Sequence, residues 1–321
     1  MAKSTVNMKI LYGIQLNGNG HITRSIEIIK ELRKKGIEVD ILTSGNNSNL
    51  EIEAKFNFKG ISLLNNRNGG INWFKTILKI KLFRLLKDIK IDISDYDLVI
   101  SDFEPISAMA ARRGNKKSIS ISNQNSLLKE NIGFFEKIFI RSFAKCDHII
   151  NIDYFKSNHT IQPIIQKDIL NKKVRHENYY IVYLPSIKIS KIISEIGKTD
   201  KNWIIYTNDN IKCDNKKIII KNINREEFIK DLCRCKGVIT ASGFSTTSEA
   251  LVLGKKLWSI PLKGQVEQII NSKKLKKIGI YTGKFNSDNI KIWISNYKEV
   301  KYEWENPIKE LVKKIIKIYE S

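Results

Sequence analysis

The stretch Thr240-Ala-Ser-Gly-Phe-Ser-Thr-Thr-Ser-Glu-Ala-Leu251 joins a predicted strand to a predicted helix. The apolar run at residues 237–240 predicts a short buried strand, and the apolar spacing that follows predicts a helix over residues 246–253. The first backbone N–H groups of a helix have no intrahelical partner, and the helix dipole adds partial positive charge there. The junction therefore predicts an α/β unit whose helix N-terminus can bind an anion.

Small and hydroxylated residues at this junction suit contact with a phosphate. Gly243 would let a phosphate approach the backbone, and the hydroxyl groups of Ser242, Ser245 and Thr246 can donate to it. Glu249 lies about one turn into the helix, where its carboxylate could accept hydrogen bonds from sugar hydroxyls. The alternative, weighted equally at this point, is an ordinary Ser/Thr helix cap with a solvated glutamate.

The N-terminal segment predicts a second unit of the same kind. Residues 8–14 predict a strand, 15–21 a glycine-bearing turn, 22–35 an amphipathic helix and 37–43 another strand. Such a unit favours a parallel sheet with right-handed crossovers. The turn resembles a dinucleotide fingerprint at Gly18 and Gly20, but the third glycine is missing, so a Rossmann cofactor is not expected.

Two polar residues are predicted at the carboxyl edge of this first sheet, where open α/β sheets place their chemistry. His21 stands at the start of the first helix, and Asp102 follows a strand at residues 96–100. The helix dipole favours a neutral imidazole there, so His21 could act as a general base with Asp102 orienting its ring. The alternative is that His21 only caps the turn. Asp95-Tyr-Asp97 precedes its strand, which predicts a turn at the opposite edge.

The α/β pattern restarts after a polar segment, which predicts two domains. We expect two Rossmann-like α/β domains whose parallel sheets face each other across a cleft. The expected boundaries are 1–165 for an N-terminal domain, 166–178 for a linker and 179–303 for a C-terminal domain. Residues 304–321 predict a last helix that could return to the N-terminal domain.

The chain carries a formal charge of +23. Nucleic acid, an anionic membrane surface and phosphorylated substrates are the candidate partners, while a general bias towards lysine, isoleucine and asparagine is the alternative explanation. Residues 73–89, from Trp73 to Ile89, predict a basic amphipathic helix that lies either on an anionic membrane or on the sheet with its lysines extended to solvent.

The chain has no uninterrupted apolar run of about 18 residues and no signal-peptide core, so we expect a cytoplasmic protein, with attachment to the inner face of the membrane left open. Its four cysteines suit reduced thiols, and neither they nor the histidines have metal-ligand spacing.

Several motifs together resemble one family. Ser242-Gly-Phe-Ser-Thr-Thr-Ser-Glu249 is similar to the S-G-x-x-T-x-S-E signature of the bacterial N-acetylglucosaminyltransferase that makes lipid II, and Glu267-Gln268 with Asn271 is similar to its Q-Q-x-x-N. Gly18-x-Gly20-His21-x-x-Arg24 resembles its N-terminal loop. Most of the chain resembles an uncharacterised branch of these GT-B glycosyltransferases, with a G-N-G-H-x-x-R loop, an S-D-F-E-P segment and an S-E-A-L-x-L-G-K run followed by P-L-x-G-Q-x-E-Q.

The resemblance implies inverting transfer of a sugar from a nucleotide-sugar, usually a UDP-sugar, to a hydroxyl of a glycan or lipid-linked acceptor, without a metal or other cofactor. It implies that His21 deprotonates the acceptor hydroxyl and that Asp102 orients His21. The implied donor-binding residues are Ser242, Gly243, Phe244, Ser245, Thr246, Glu249, Gln265, Glu267 and Gln268. The implied acceptor-side or phosphate-binding residues are Gly18, Asn19, Gly20, Arg24, Glu104, Asn123 and Ser186.

Departures from the family pattern leave the donor sugar open. Leu184-Pro185-Ser186 stands where the lipid II enzyme has a glycine loop, and Glu267 stands where it has a glutamine. A UDP-sugar epimerase or hydrolase of the same fold is an alternative, because the fold hosts both chemistries. A basic nucleic-acid-binding protein is a second alternative, although no motif for such binding is recognisable.

Overall fold

The computed structural model describes residues 8–16, 19–45, 52–59, 87–158 and 160–321. These residues form two compact units. The first contains the described residues up to Gln166 together with Glu305–Ser321, and the second contains Lys167–Trp304. Each unit is built on its own parallel sheet.

The described part of the first unit contains a sheet of seven parallel strands in the order β3-β2-β1-β4-β5-β6-β7. Because the order runs outward on both sides of β1 and β4, the switch point of the sheet lies between these two strands. The central strands are almost continuously buried, as expected of parallel strands covered on both faces. The strands are β1 (Lys9–Gln15), β2 (Glu38–Ser44), β3 (Phe56–Phe58), β4 (Leu98–Asp102), β5 (Ser118–Ser122), β6 (His148–Ile152) and β7 (Thr160–Ile161).

Helices follow the central strands of this sheet. α1 (Asn19–Lys34) follows β1, α2 (Pro105–Arg113) follows β4, and a 3-10 helix (Gln124–Lys129) with α3 (Phe134–Phe143) follows β5. α2 begins at a proline, which lacks the N–H that a first helical residue cannot use. These connections place the starts of α1, α2 and the 3-10 helix at the carboxyl edge of the sheet.

The turn before β4 lies at the opposite edge. The backbone N–H of Lys9, the first residue of β1, donates to Oδ2 of Asp97 at 2.7 Å. The backbone N–H of Asp97 donates in turn to the carbonyl of Lys9 at 2.9 Å. The prediction that Asp95-Tyr-Asp97 forms a turn at the amino edge is confirmed.

The second unit has five parallel strands in the order β10-β9-β8-β11-β12. Its switch point lies between β8 and β11. Its core contains Tyr180, Trp203, Trp258 and Trp293, all buried, with the Tyr180 ring centroid 5.3 Å from those of both Trp203 and Trp293. The strands are β8 (Glu177–Tyr183), β9 (Asn202–Tyr206), β10 (Ile218–Lys221), β11 (Cys235–Ala241) and β12 (Lys256–Ile260).

The helices of the second unit differ from the sequence predictions at two places. The helix after β11 begins at Phe244, two residues before the predicted start, because Gly243 already has the extended backbone of a cap residue, with φ −68° and ψ 137°. The segment predicted to be a linker contains a short helix. The helices are α4 (Lys167–Leu170), α5 (Ile189–Ile196), α6 (Arg225–Arg234), α7 (Phe244–Val252), α8 (Val266–Lys277) and α9 (Ser287–Asn296).

The last helix, α10 (Ile308–Glu320), belongs to the first unit and packs against α1. Its apolar face buries Leu311, Val312 and Ile315. Nζ of Lys117 donates to the carbonyls of Ile318 and Tyr319, at 3.1 Å each. A cation at this end complements the helix dipole and satisfies two terminal carbonyl groups.

The basic segment at residues 73–89 lies outside the described residues, apart from residues 87–89. Within the described ranges, no helix is both long enough and apolar enough to cross a bilayer. The membrane-surface helix therefore stays a prediction.

Candidate functional site

The first candidate site lies where β1 and β4 end, at the switch point of the first sheet. The register pairs Ile14 with Asp102, the last residue of β4. His21, Arg24 and Ser25 share one face of α1 because they are three and four residues apart. Gly18, which was predicted to belong to this site, lies outside the described residues.

Asp102 is the centre of this site and is fully buried. Its Oδ1 lies 2.8 Å from Nδ1 of His21 and also accepts from Nη2 of Arg24. Its Oδ2 accepts from Nε of Arg24 at 2.6 Å and from Oγ of Ser25 at 3.0 Å. Burial alone would raise the pKa of Asp102, but the positive charge of Arg24 and the hydrogen bonds outweigh it and lower the pKa to about 2. Asp102 is therefore an ionised acceptor at neutral pH.

The tautomer of His21 follows from this acceptor. An ionised carboxylate cannot donate, so the 2.8 Å contact requires a proton on Nδ1. Nη2 of Arg24 is also 2.8 Å from Nδ1, but it donates to the same oxygen of Asp102, which brings the two nitrogens together. With the proton on Nδ1, a neutral His21 carries its lone pair on Nε2.

Gln124, in the 3-10 helix after β5, is the neighbour of that lone pair. Its Nε2 lies 3.5 Å from Nε2 of His21, which is a long contact for a hydrogen bond. Its Oε1 is buried and has no hydrogen-bond partner among the described residues. The reactive nitrogen of His21 is thus only weakly engaged by the protein, which suits a group that must accept a proton from a substrate.

Arg24 and Asn123 were predicted to contact the acceptor or a phosphate. In the structure, their side chains form a hydrogen bond with each other. Nη1 of Arg24 donates to Oδ1 of Asn123 at 2.8 Å. Both side chains are buried, with Arg24 6% and Asn123 3% exposed. The other two nitrogens of the guanidinium, Nε and Nη2, donate to the carboxylate of Asp102. The positive charge of Arg24 therefore compensates a buried carboxylate in this structure.

Three other predicted residues of this edge have local roles. Glu104 was predicted on the acceptor side, but it is fully buried and caps α2, accepting from the backbone N–H groups of Ile106 at 2.8 Å and Ser107 at 2.6 Å. This corrects the prediction, because a carboxylate without exposed surface cannot meet an acceptor. Asn19 begins α1, and the carbonyl of Gly20 accepts from Oγ1 of Thr23 at 3.1 Å.

The second candidate site is the N-terminus of α7, at the switch point of the second sheet. Gly243 is its cap residue, and a glycine has no side chain with which to cap the helix. A Cβ built on Gly243 would meet no described atom within 4 Å. Its φ of −68° is also one that any residue adopts. Neither the backbone nor the packing explains a glycine here, whereas the close approach of a ligand would.

The hydroxylated residues of this junction divide into two groups. Oγ of Ser242 is fully buried and lies 2.6 Å from Oγ of Ser259 on β12, so this hydroxyl is already paired inside the unit. Ser245 and Thr246 lie in the first turn of α7 and are partly exposed, and Phe244 beside them is buried. Of the three predicted phosphate-binding hydroxyls, two are therefore accessible to a ligand.

Glu249 is 3% exposed and bound by an arginine that sequence analysis did not identify. Nη1 of Arg225, the first residue of α6, donates to Oε2 at 2.9 Å, and Nη2 donates to Oε1 at 2.5 Å. This is the bidentate geometry of a strong charged pair. A carboxylate has about four lone-pair sites, so a ribose hydroxyl could still donate to Glu249 while Arg225 holds it.

The predicted polar group on α8 lies partly against the protein. Oε1 of Gln268 accepts from the backbone N–H of Leu262 at 3.0 Å, and Nδ2 of Asn271 donates to the carbonyl of Ser242 at 3.1 Å. The second bond ties α8 to the loop before α7. Gln265 and Glu267 are partly exposed at the start of α8, and Ser186 is exposed after β8.

Ser25, Gln124 and Arg225 are the site residues that sequence reasoning missed. Ser25 could have been found from its spacing, four residues after His21 on a predicted helix. Gln124 directly follows Asn123, which was predicted at this edge, so its place could have been found although its role could not. Arg225 carried no such signal, because it meets Glu249 only through the arrangement of strands. Within the described ranges, no group of three or more His, Cys, Asp or Glu side chains is arranged to hold a metal ion.

Comparison with known proteins identifies the family. Residues 8–297 match the model of glycosyl transferase family 1. The chain belongs to this family. An uncharacterised glycosyltransferase of Methanosarcina mazei is 25% identical over 324 residues, which cover 85% of this chain and 84% of the relative.

Solved glycosyltransferases share the fold. Arabidopsis thaliana UGT89C1 complexed with UDP has a TM-score of 0.66 at 15% identity, covering 98% of this chain and 100% of that chain. MurG of Acinetobacter baumannii has a TM-score of 0.61 at 16% identity, covering 97% and 99%. This glycosyltransferase therefore has the GT-B fold, its predicted resemblance to that superfamily is confirmed, and its chemistry is the transfer of a sugar.

Proposed function

We propose that this glycosyltransferase transfers a sugar from a UDP-sugar to a hydroxyl group of a glycan or lipid-linked acceptor, inverts the anomeric carbon, and needs neither a metal nor another cofactor. The observation that carries the proposal is the contact of 2.8 Å between Nδ1 of His21 and Asp102. It gives His21 the tautomer of a general base at the edge of the sheet where α/β enzymes place their reactive groups.

In the proposed reaction, Nε2 of His21 removes the proton of the acceptor hydroxyl as the oxygen attacks the anomeric carbon. The bond from that carbon to the β-phosphate oxygen breaks, and UDP leaves with the electron pair. Asp102 stabilises the imidazolium that forms, because it is ionised and already bound to Nδ1. A single displacement from the face opposite the leaving group inverts the configuration.

The donor is proposed to bind at the second site. The uncapped N-terminus of α7 would bind the diphosphate and stabilise the negative charge of the leaving UDP, with Gly243 allowing close approach and Ser245 and Thr246 donating. Glu249 would accept from the ribose while Arg225 holds it. Gln265, Glu267 and Gln268 would contact the sugar.

A UDP-sugar is supported over other nucleotide-sugars by relatives of the same fold. UGT89C1 has been crystallised with UDP and with UDP-L-rhamnose. A lipid-linked acceptor would bring the protein to the inner face of the cytoplasmic membrane. The sequence of residues 73–89, from Trp73 to Ile89, supports such peripheral binding through its alternation of apolar and basic side chains.

The test of donor binding is calorimetry with UDP, ADP, GDP and CDP on the wild type and on Gly243→Ala. We expect UDP to bind in preference to the other three, and to bind the variant less tightly. Equal binding of all four by the wild type, or none, would contradict the proposed donor.

The test of the reaction uses UDP-sugars with and without a hydroxyl acceptor, followed by NMR of the anomeric proton. We expect UDP release to depend on acceptor and the product to have the opposite anomeric configuration to the donor. Free sugar or a 2-epimer formed without acceptor would instead support the hydrolase or epimerase alternative. Equal turnover in excess chelator is expected of a metal-independent enzyme.

A further inference from the structure

Arg24 could either bind a phosphate of the substrate or position the Asp102 carboxylate, and its contacts distinguish these two functions. An arginine about one turn after a glycine loop could bind a phosphate, as the family resemblance implies. In the structure, however, Nε donates to Oδ2 of Asp102 at 2.6 Å and Nη2 donates to Oδ1 of the same carboxylate. Nη1 donates to Oδ1 of Asn123 at 2.8 Å. All three nitrogen atoms of the guanidinium are therefore used inside the protein.

The charges around His21 can be counted from these contacts. Asp102 from β4 carries one negative charge, and Arg24 from α1 carries one positive charge. Tyr12 from β1 is fully buried, and burial raises the pKa of its phenol, so it is neutral. Asn123 and Gln124, from the segment after β5, face Arg24 and His21 with uncharged amides. The buried pair of Asp102 and Arg24 is thus neutral before His21 binds a proton.

We propose that Arg24 is a positioning residue, which shares the Asp102 carboxylate with His21 and thereby keeps the imidazole neutral, with its Nε2 lone pair available to the acceptor. Without Arg24, an imidazolium would neutralise the buried carboxylate, so protonated His21 would be the favoured state. With Arg24 present, protonation adds a third charge to a neutral buried pair.

This inference rests on the proposed function of His21 as the base, and it makes a prediction that phosphate binding by Arg24 does not. If Arg24 positions the base, its loss changes the protonation of His21 and leaves UDP binding unchanged. If Arg24 binds a phosphate of the donor, its loss weakens UDP binding and leaves His21 unchanged.

The experiment measures the ¹⁵N NMR signals of the histidine ring in wild type, Arg24→Met and Arg24→Lys. The chain has four histidines, and the spectrum of His21→Gln assigns the signals of His21. Arg33→Met is the matched control, because Arg33 is an exposed arginine of the same helix that donates to the carbonyl of Val39.

In the wild type at neutral pH we expect a protonated Nδ1 and an unprotonated Nε2. In Arg24→Met both nitrogens should be protonated in most molecules, Arg24→Lys should be intermediate, and Arg33→Met should match the wild type. The acid limb of kcat/KM should move about one pH unit higher in Arg24→Met, while the Kd of UDP stays unchanged.

An unchanged His21 spectrum in Arg24→Met would overturn the inference, and a rise of about tenfold in the Kd of UDP beside it would assign Arg24 to the phosphate. The proposed function fails separately, if the wild type binds no UDP or transfers no sugar, and the spectra still test the role of Arg24. If Arg24→Met does not fold, Arg24→Lys carries the test, because it keeps the charge but not the fork that grips both oxygens of Asp102.

Discussion

At the edge of the first sheet, His21, Arg24 and Asp102 bind one another and are almost completely buried, whereas at the edge of the second sheet the cap residue of α7 is Gly243, which has no side chain to cap the helix. Both places are switch points of parallel sheets. In the first, the polar groups satisfy each other before any ligand arrives. In the second, the cap residue is a glycine, so no cap side chain stands between the helix N-terminus and a ligand.

This difference separates catalysis from binding. A network whose members already hold one another fixes the tautomer of its base and needs little rearrangement when the proton moves. At a helix N-terminus without a capping side chain, the backbone N–H groups can donate to an anionic acceptor such as a diphosphate. Substitutions in the first site should therefore change turnover and stability, and substitutions at the proposed donor site, Gly243 and Glu249, should change the affinity for UDP.

The largest effect is expected for His21→Gln, which keeps a polar side chain but removes the base. We expect kcat to fall by about 10²–10⁴-fold, because general-base catalysis contributes that much. The Kd of UDP, measured by calorimetry, should stay within about twofold of the wild-type value, because His21 belongs to the first unit and the proposed nucleotide site to the second. Near-normal turnover would show that His21 is not the base.

The next effect is on stability in acid, and it follows from Asp102. The folded pKa of Asp102 is about 2, below the usual value of about 4 for an unfolded chain. Its ionised form therefore stabilises the fold above about pH 4, and this contribution, on the order of 2 kcal/mol, is lost as the pH falls to about 2 and below. Urea unfolding of wild type and Asp102→Asn should give curves that differ most at neutral pH and converge in acid.

The control for that comparison is Asp209→Asn, which changes an exposed aspartate of the second unit. Its difference from the wild type should be small at every pH. A gap between wild type and Asp102→Asn that stays constant from pH 6 to pH 2 would mean that Asp102 is not held ionised by Arg24 and His21.

A smaller effect is expected for Glu249→Gln. The amide removes the charge that would accept from the ribose and that Arg225 binds through both nitrogens. We expect the Kd of UDP to rise about tenfold and the melting temperature to fall by a few degrees, since Arg225 loses its charged partner.

Glu227→Gln is the matched control for Glu249→Gln, because Glu227 pairs with Lys221 at 2.9 Å and its side chain is 47% exposed. An exposed ion pair contributes little, so both UDP affinity and melting temperature should match the wild type. Unchanged UDP binding in Glu249→Gln would limit Glu249 to a structural pair with Arg225.

The smallest effects, and the sharpest contrast, are expected at the two ends of α7. Gly243 has a backbone that alanine adopts and empty space around its Cβ position, so Gly243→Ala should weaken UDP binding severalfold without changing the melting temperature. Gly254, after the helix, has φ +62° and equally empty space, so Gly254→Ala should lower stability by about 1 kcal/mol without changing UDP binding.

Calorimetry and thermal unfolding of these two variants test the comparison directly. A loss of stability in Gly243→Ala would mean that its glycine serves the fold. Unchanged UDP affinity in the same variant would remove the helix end from the proposed donor site.

Much of the fold was predictable because its signals are local. The strands at Lys9–Gln15 and Glu38–Ser44 lie within one residue of their predicted bounds, and the helix at Phe244–Val252 lies within two. Each has a clear apolar run or helical period. β3 and β7 were not predicted, because strands of three and two residues are too short to show a period.

The candidate site was predictable only in part. His21 and Asp102 were identified because each follows a strand of a predicted parallel sheet, and parallel strands share a carboxyl edge. Glu104 follows the same strand as Asp102, but its burial and its cap to α2 are set by packing. Arg225 was missed because its bond to Glu249 joins the first residue of α6 to the second turn of α7, and these two helices follow different strands.

The sequence by itself determined the α/β pattern, the two glycine-bearing junctions and the pairing of a histidine with an aspartate at one sheet edge. These depend on residues that are neighbours in the chain or on the rule that parallel strands end together. The tertiary structure decided which partners those residues have. Arg24 binds Asp102, which is 78 residues later in the sequence, and Arg225 binds Glu249, which is 24 residues later. Such pairs form only when strand order and helix packing bring distant segments together, and local sequence does not show which segments become neighbours.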